Sequence, residues 1–246
     1  MEDEDKNNGK DRIRNVGQKR DGGKKYKVDY SEFAIFKGIT IDFDYLEEGL
    51  NYAQEHNIKE VFVRSEENNV KQMVNFEFLK GRDFIETFHW IVSLSKKSDI
   101  TGLYHLSRLK ELRWGGARDF VFDLSFFPLL EEINIGYGAK ISGWEKLSQL
   151  KRLQLQGVKT DNLSFLANTT SLEYLRVIRG TFTSIAGIEN CTNLKTLFLQ
   201  SCTALTKLKP TILSLQNLEQ LNLEACRRVD VKEELDGLEI KYISVI

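Results

Sequence analysis

Residues 163–177 read LSFLANTTSLEYLRV, and Leu172, Leu175 and Val177 within them trace the pattern apolar-x-x-apolar-x-apolar. The end of that pattern alternates in-out-in, as a short strand with one buried face does. Upstream, Leu163 and Leu166 stand three apart, a spacing that suits a 3₁₀ turn or short helix with one buried side. A strand plus a return arm in about 22 residues is the unit of a solenoid, which buries its apolar face only by stacking on copies of itself.

Those copies run along the chain. Leu109-Leu112-Trp114, Leu130-Ile133-Ile135, Leu150-Leu153-Leu155, Leu194-Leu197-Leu199 and Leu218-Leu221-Leu223 repeat the triplet with first positions 20 to 24 residues apart. Weaker copies are Phe36-Ile39-Ile41, Ile58-Val61-Val63, Ile85-Phe88-Trp90 and Ile240-Ile243-Val245. Ahead of the triplets an apolar stripe recurs every third residue: Ile100, Leu103, Leu106; Val121, Leu124, Phe127; Ile141, Trp144, Leu147; then Ile185, Ile188, Cys191 and Ile212, Leu215.

On these residues the chain resembles the leucine-rich repeats, and the stretch 163–177 resembles the 22-residue bacterial, internalin-type repeat. The resemblance implies an α/β solenoid with a concave parallel β-sheet and a 3₁₀ or short-helical convex side. One departure stands out. Where that repeat carries an asparagine after the strand, this chain has Ala117, Gly138, Val158, Gly180, Cys202 and Cys226.

The ends read differently. Residues 1–28 hold nine Lys/Arg, six Asp/Glu and four glycines, so they are expected to form a charged, disordered tail. Residues 29–246 form the repeat domain, irregular over 29–99 and regular over 100–246. Asp44 with Glu47 predicts a capping box, opening a helix near 44–56 that caps the first core edge. The 27-residue step from Ile58 to Ile85 predicts an added loop around Ser65 to Val70. At the other end the last strand is expected to be an open edge, a route to self-association.

Composition narrows the function. The 246 residues carry 35 basic and 36 acidic side chains, which argues against a general electrostatic grip on nucleic acid or membrane. No stretch approaches the eighteen apolar residues of a membrane span. Three cysteines without paired spacing fit a reducing, cytoplasmic setting. His56, His89 and His105 are dispersed, Gly136-Tyr137-Gly138 lacks the lysine of a phosphate loop, and no catalytic or metal-binding set emerges. Cys191, Cys202, Cys226, Trp90, Trp114 and Trp144 all read as core. No cofactor is implied.

With the triplets inward, the residues between them face out on the sheet. Arg152, Tyr174, Arg176, Ile178 and Phe198 fall on neighbouring strands with Arg179 at their rim. They combine arginines and aromatics without acidic partners, the composition of a protein-binding hot spot. Phe62, Arg64, His89 and Ile91 form a second patch, beside Glu60. The rival reading is a shallow arc with isolated exposed side chains. The expected function is a non-catalytic protein-interaction module with an unidentified protein partner. The alternatives are an inhibitor or immunity-type protein that neutralises an enzyme or toxin, and a self-associating structural module.

Overall fold

A computed structural model of the chain describes residues 25–66, 70–116 and 119–246. Strand β1 spans Tyr26–Asp29, β2 Gly38–Asp42, β3 Glu60–Arg64, β4 Thr87–Trp90 and β5 Glu111–Trp114. After a two-residue β6 (Phe122–Asp123) come β7 (Glu132–Gly136), a two-residue β8 (Ile141–Ser142) and β9 (Arg152–Gln156). β10 (Tyr174–Ile178), β11 (Thr196–Gln200), β12 (Gln220–Glu224) and β13 (Tyr242–Val245) complete the set. Eleven of these form one sheet, ordered β1-β2-β3-β4-β5-β7-β9-β10-β11-β12-β13; all pairs are parallel except β1 with β2.

The register is the one the triplets predict. Leu153, Leu175, Leu197, Leu221 and Ile243 sit opposite one another on consecutive strands, as do Leu155, Val177, Leu199, Leu223 and Val245. Every one of these inward residues up to Leu223 is buried. A one-residue slip would turn both rows to solvent, so the apolar pattern alone fixes the pairing.

The return arms are 3₁₀ turns in the middle of the solenoid, from Phe76–Leu79 to Ser164–Leu166, and short helices toward the ends. They share an opening device. The side chains of Asp42, Asn75, Asp99, Asp123 and Asn162 each accept the backbone N–H two residues on, at 2.8 to 3.1 Å. Such a turn satisfies a donor that the first turn leaves unpaired. Helix α3 (Val231–Leu235) is capped by Asp230 and sends Glu234 back to the preceding arm. There the buried Glu234 carboxylate accepts from Leu208 N and Lys209 N, at the start of helix α2 (Lys209–Ile212).

A charge ladder runs along the sheet margin. Lys59, Glu86, Lys110, Glu131, Lys151, Glu173, Lys195, Glu219 and Lys241 each immediately precede a strand, and their signs alternate without a break. Glu86 takes Lys59 at 2.7 Å and Lys110 at 2.6 Å, Lys151 meets Glu131 at 2.6 Å and Lys195 meets Glu173 at 2.8 Å. The Lys110 and Lys59 ammonium groups hold the Glu86 carboxyl down to about 2.

Five expectations are corrected. Tyr26–Val28, assigned to the tail, belong to a strand, because β2 needs backbone partners on its outer edge and β1 supplies them; residues 1–24 lie outside the described residues. The edge is therefore covered by β1. Helix α1 (Leu46–Glu55) instead packs behind β2 and β3 as the first return arm, burying Leu46, Gly49, Leu50 and Ala53. The start is shifted: Asp42 caps a 3₁₀ turn at Phe43–Tyr45, and Tyr45 rather than Asp44 stands at the N-cap position of α1. Val121 is exposed and Phe122 takes the core position, since the short strand β6 shifts the alternation there by one. Phe36 is outside the core on the sheet's open face. Of the expected loop at Ser65 to Val70, residues 67–69 lie outside the described residues. At the far end, among the described residues, β13 pairs with β12 alone, and Ile243 and Val245 are 40% and 48% exposed where their counterparts on β12 are buried.

Candidate interaction face

On the open face the side chains between the rungs line up in rows. Arg152, Tyr174 and Thr196 form one, Gln154, Arg176 and Phe198 the next, Gln156, Ile178 and Gln200 a third. The strand spacing, about 4.8 Å, brings each row's members into contact. The Arg152 guanidinium carbon lies 4.5 Å from the Tyr174 ring centroid, and that of Arg176 lies 4.5 Å from the Phe198 centroid. The same cation–π unit thus appears twice, displaced by one strand and one row.

Hydrogen bonds hold the second unit in place. Arg176 donates to Gln200 Oε1 at 2.9 Å, and Gln200 donates on to Glu224 Oε1 at 2.8 Å. The Arg176 Nε is buried with no hydrogen-bond partner. The first unit corrects an expectation: Arg152 has an acidic partner, with its Nε 3.3 Å from Glu132 Oε2. Burial, reinforced by the neighbouring Glu111, raises the Glu132 carboxyl above its ordinary value, against the pull of Arg152 and His89. Ile178 is half-buried between Gln156 and Gln200. Arg179 sits past the strand at the rim, exposed and in the left-handed region (φ 61°), and no ring lies under it among the described residues.

The second patch is built differently. Phe62 and His89 pair across β3 and β4 with ring centroids 5.9 Å apart, and Phe36 packs on both, at 5.5 and 4.9 Å. The segment between β1 and β2 carries Phe36 over the open face, and Tyr30 fastens it by donating to Glu60 Oε2 at 2.7 Å. Burial and Glu60 push the Tyr30 hydroxyl up to about 12. His89 Nε2 lies 2.6 Å from Glu111 Oε1. Arg64 is exposed beside Asp42, on a cavity of about 440 Å³ that Phe33, Ile35 and Phe36 also line. Sequence reasoning missed Phe33, Ile35 and Phe36. The available signal was Gly38, whose φ of 141° and contact with Glu60 leave no room for a Cβ and mark a change of direction before β2.

Among the described residues no group of three His, Cys, Asp or Glu side chains could hold a metal ion, and no helix is long and apolar enough to cross a membrane. The sequence matches no family model and none of the curated proteins. Solved structures do match. Internalin C2 from Listeria monocytogenes is similar with a TM-score of 0.53 and 18% identity, over 71% of this chain and 76% of that one. Internalin F from the same organism gives a TM-score of 0.53 at 15% identity, over 84% of this chain and 66% of its own length. The fold is a leucine-rich-repeat solenoid. The long, mostly parallel sheet and the few short helices fit that fold.

Proposed function

We propose that this chain is a non-catalytic protein-interaction module that docks a folded protein on the concave face, at Arg152, Tyr174, Arg176, Ile178 and Phe198, with Arg179 at the margin. The observation that carries the reading is the pair of stacked Arg–aromatic units on adjacent strands. Each guanidinium is already oriented by its ring and by Glu132 or Gln200, so little side-chain freedom remains to be lost on docking. Arg and aromatic anchors on a rigid support are the composition of binding hot spots. The leucine-rich-repeat fold supports an interaction role by analogy of architecture.

An inhibitor that neutralises an enzyme or toxin in the cytoplasm would use the same face. A self-associating module would use the exposed β13 edge instead, and a monomer by light scattering at tens of micromolar sets that alternative aside. Nucleic acid is disfavoured by the balanced charge; binding that stays flat across a salt titration would dismiss it.

The test is site-specific photocrosslinking from position 196, between the two units, in native lysate. The captured protein is identified by mass and its affinity measured with the purified components. Tyr174→Ala and Phe198→Ala should each weaken it about tenfold while the melting temperature holds. Unchanged affinity in both variants refutes the reading.

A further inference from the structure

Strands β9 to β12 leave the sheet in one way. Gly157, Arg179, Ser201 and Ala225 all adopt positive φ, and each donates its N–H to the next strand at 2.7 to 2.8 Å. The following residue is thereby turned inward: Val158, Gly180, Cys202 and Cys226. Each cysteine Sγ–H then donates to backbone carbonyls, Cys202 to Gln200 O at 3.7 Å and Val177 O at 3.9 Å, Cys226 to Leu199 O at 3.3 Å and Glu224 O at 3.5 Å. This is the work an asparagine does in the regular repeat, and it accounts for cysteine at these sites. It also places two thiols at equivalent positions on adjacent rungs, two residues beyond the paired Gln200 and Glu224.

We propose that Cys202 and Cys226 are a reversible redox pair, with Cys226 the thiol that a peroxide oxidises and Cys202 the thiol that resolves it as an intramolecular disulfide. Neighbouring parallel strands lie about 4.8 Å apart, inside the range of Cα separations that a disulfide spans. Cys226 is at the margin of the core, 9% exposed, whereas Cys202 is fully covered. The residues flanking both line a cavity of about 610 Å³ to which Ser201, Thr203, Ala204, Ala225, Arg227 and Arg228 contribute. The neighbouring Cys202 thiol lowers the Cys226 thiol below its ordinary value, against burial and the Glu224 charge, while Cys202 is raised.

The chemistry balances. The Cys226 thiolate attacks one oxygen of hydrogen peroxide, the O–O bond breaks, and hydroxide leaves and takes up the proton Cys226 released. The Cys202 sulfur attacks the resulting sulfenic acid, the S–O bond breaks, and hydroxide departs as water with the Cys202 proton. Two thiols lose two electrons and one peroxide becomes two waters. The inference is independent of the binding face.

Cys191 provides the internal control. It is fully buried, burial raises its thiol, and its neighbour across the rung is Thr169 rather than a cysteine. The full chain is treated with limiting hydrogen peroxide, unfolded, alkylated and mapped by mass spectrometry. The expected product has lost two hydrogens, links Cys202 to Cys226, retains an alkylatable Cys191 and reverts with dithiothreitol. The pair should react about tenfold faster than Cys191. Cys202→Ser should leave Cys226 as a sulfenic acid that a 1,3-diketone captures, and Cys226→Ser should protect Cys202. Oxidation of Cys191 as fast as the pair, a crosslink between chains, or Cys226 driven to sulfinic acid with Cys202 free would each overturn the proposal. The wild-type map decides even where a variant fails to fold.

Discussion

The two aromatic patches share the open face of the sheet, Phe62, His89 and Phe198 in one row, and differ in what covers them. At β3 and β4, Phe62 and His89 are closed over by Phe36 from the chain's own β1–β2 connection, which Tyr30 ties to Glu60. At β9 to β11, no ring stacks on Tyr174 or Phe198 among the described residues, and the guanidinium groups of Arg152 and Arg176 lie over them instead. The repeat pattern fixes where a side chain points. Whether it is free for a partner depends on chain outside the repeats. Beneath the surface the halves differ as well. Trp90 packs on Phe43, Phe76, Phe88 and Trp114, whereas the rungs around Leu175 are leucine on both sides.

The largest effects should break the molecule at these cores. Trp90→Ala removes a fully buried indole that ties several arms together and should cost about 4 kcal/mol in urea unfolding. Leu175→Ala should cost about 3 kcal/mol. Since each repeat touches only its neighbours, hydrogen exchange should localise the loss to β3–β5 in the first variant and to β9–β11 in the second. Uniform exchange along the sheet would show that the halves form one cooperative unit.

A smaller pair of effects should separate closed patch from open patch. Phe62→Ala should lower stability by about 1–2 kcal/mol through its lost ring contacts and leave partner affinity alone. Tyr174→Ala should do the reverse, about tenfold in affinity with little change in stability. If Phe62→Ala weakens binding as much, the closed patch opens on docking.

Much of this was legible beforehand, for one reason: burying every third and alternate residue on a stacking lattice leaves a period that survives divergence. Leu153, Leu175, Leu197 and Leu221 could be placed as adjacent rungs, and with them the outward rows that bring Tyr174 and Phe198 beside their arginines. Phe36 could not be placed. As an apolar residue three before Ile39 it fits the triplet, and only the turn at Gly38 moves it to the other face. Glu132 was visible one strand from Arg152, but a row assignment does not say which side chain leans toward which. The Lys/Glu alternation before each strand was plain in the sequence, yet a search for apolar periodicity passes over it.

That ladder supplies a pH test. Glu86 sits at about 2 in the folded chain against an ordinary 4.5, so its contribution is complete above pH 4.5 and is lost as pH falls toward 2. Glu86→Gln should cost about 1 kcal/mol near neutral pH and nothing at the acid end, flattening that part of the stability profile. At the alkaline end the sign is opposite for Tyr30, raised from 10 to about 12. Its support of the closed patch is complete below pH 10 and lost as pH rises through 12. Tyr30→Phe should remove that alkaline dependence and leave the acid one.

The smallest expected effect lies in the strand exits. In the C-terminal half Arg179, Ser201 and Ala225 hold left-handed backbone, whereas the residues after β4, β5 and β7 do not. A side chain in that region costs about 1–2 kcal/mol, and glycine escapes it, as Gly157 does at the same point of its own repeat. Ser201→Gly should therefore stabilise the chain by a few tenths to about 1 kcal/mol, after the added freedom of the unfolded glycine is subtracted. The matched substitution Tyr137→Gly, after β7, has no such strain to relieve and removes a ring packed 5.0 Å from Phe165, so it should destabilise. Opposite signs at the two exits would show that the tight turn distinguishes the regular half; the same sign at both would place the difference between the halves in their cores alone.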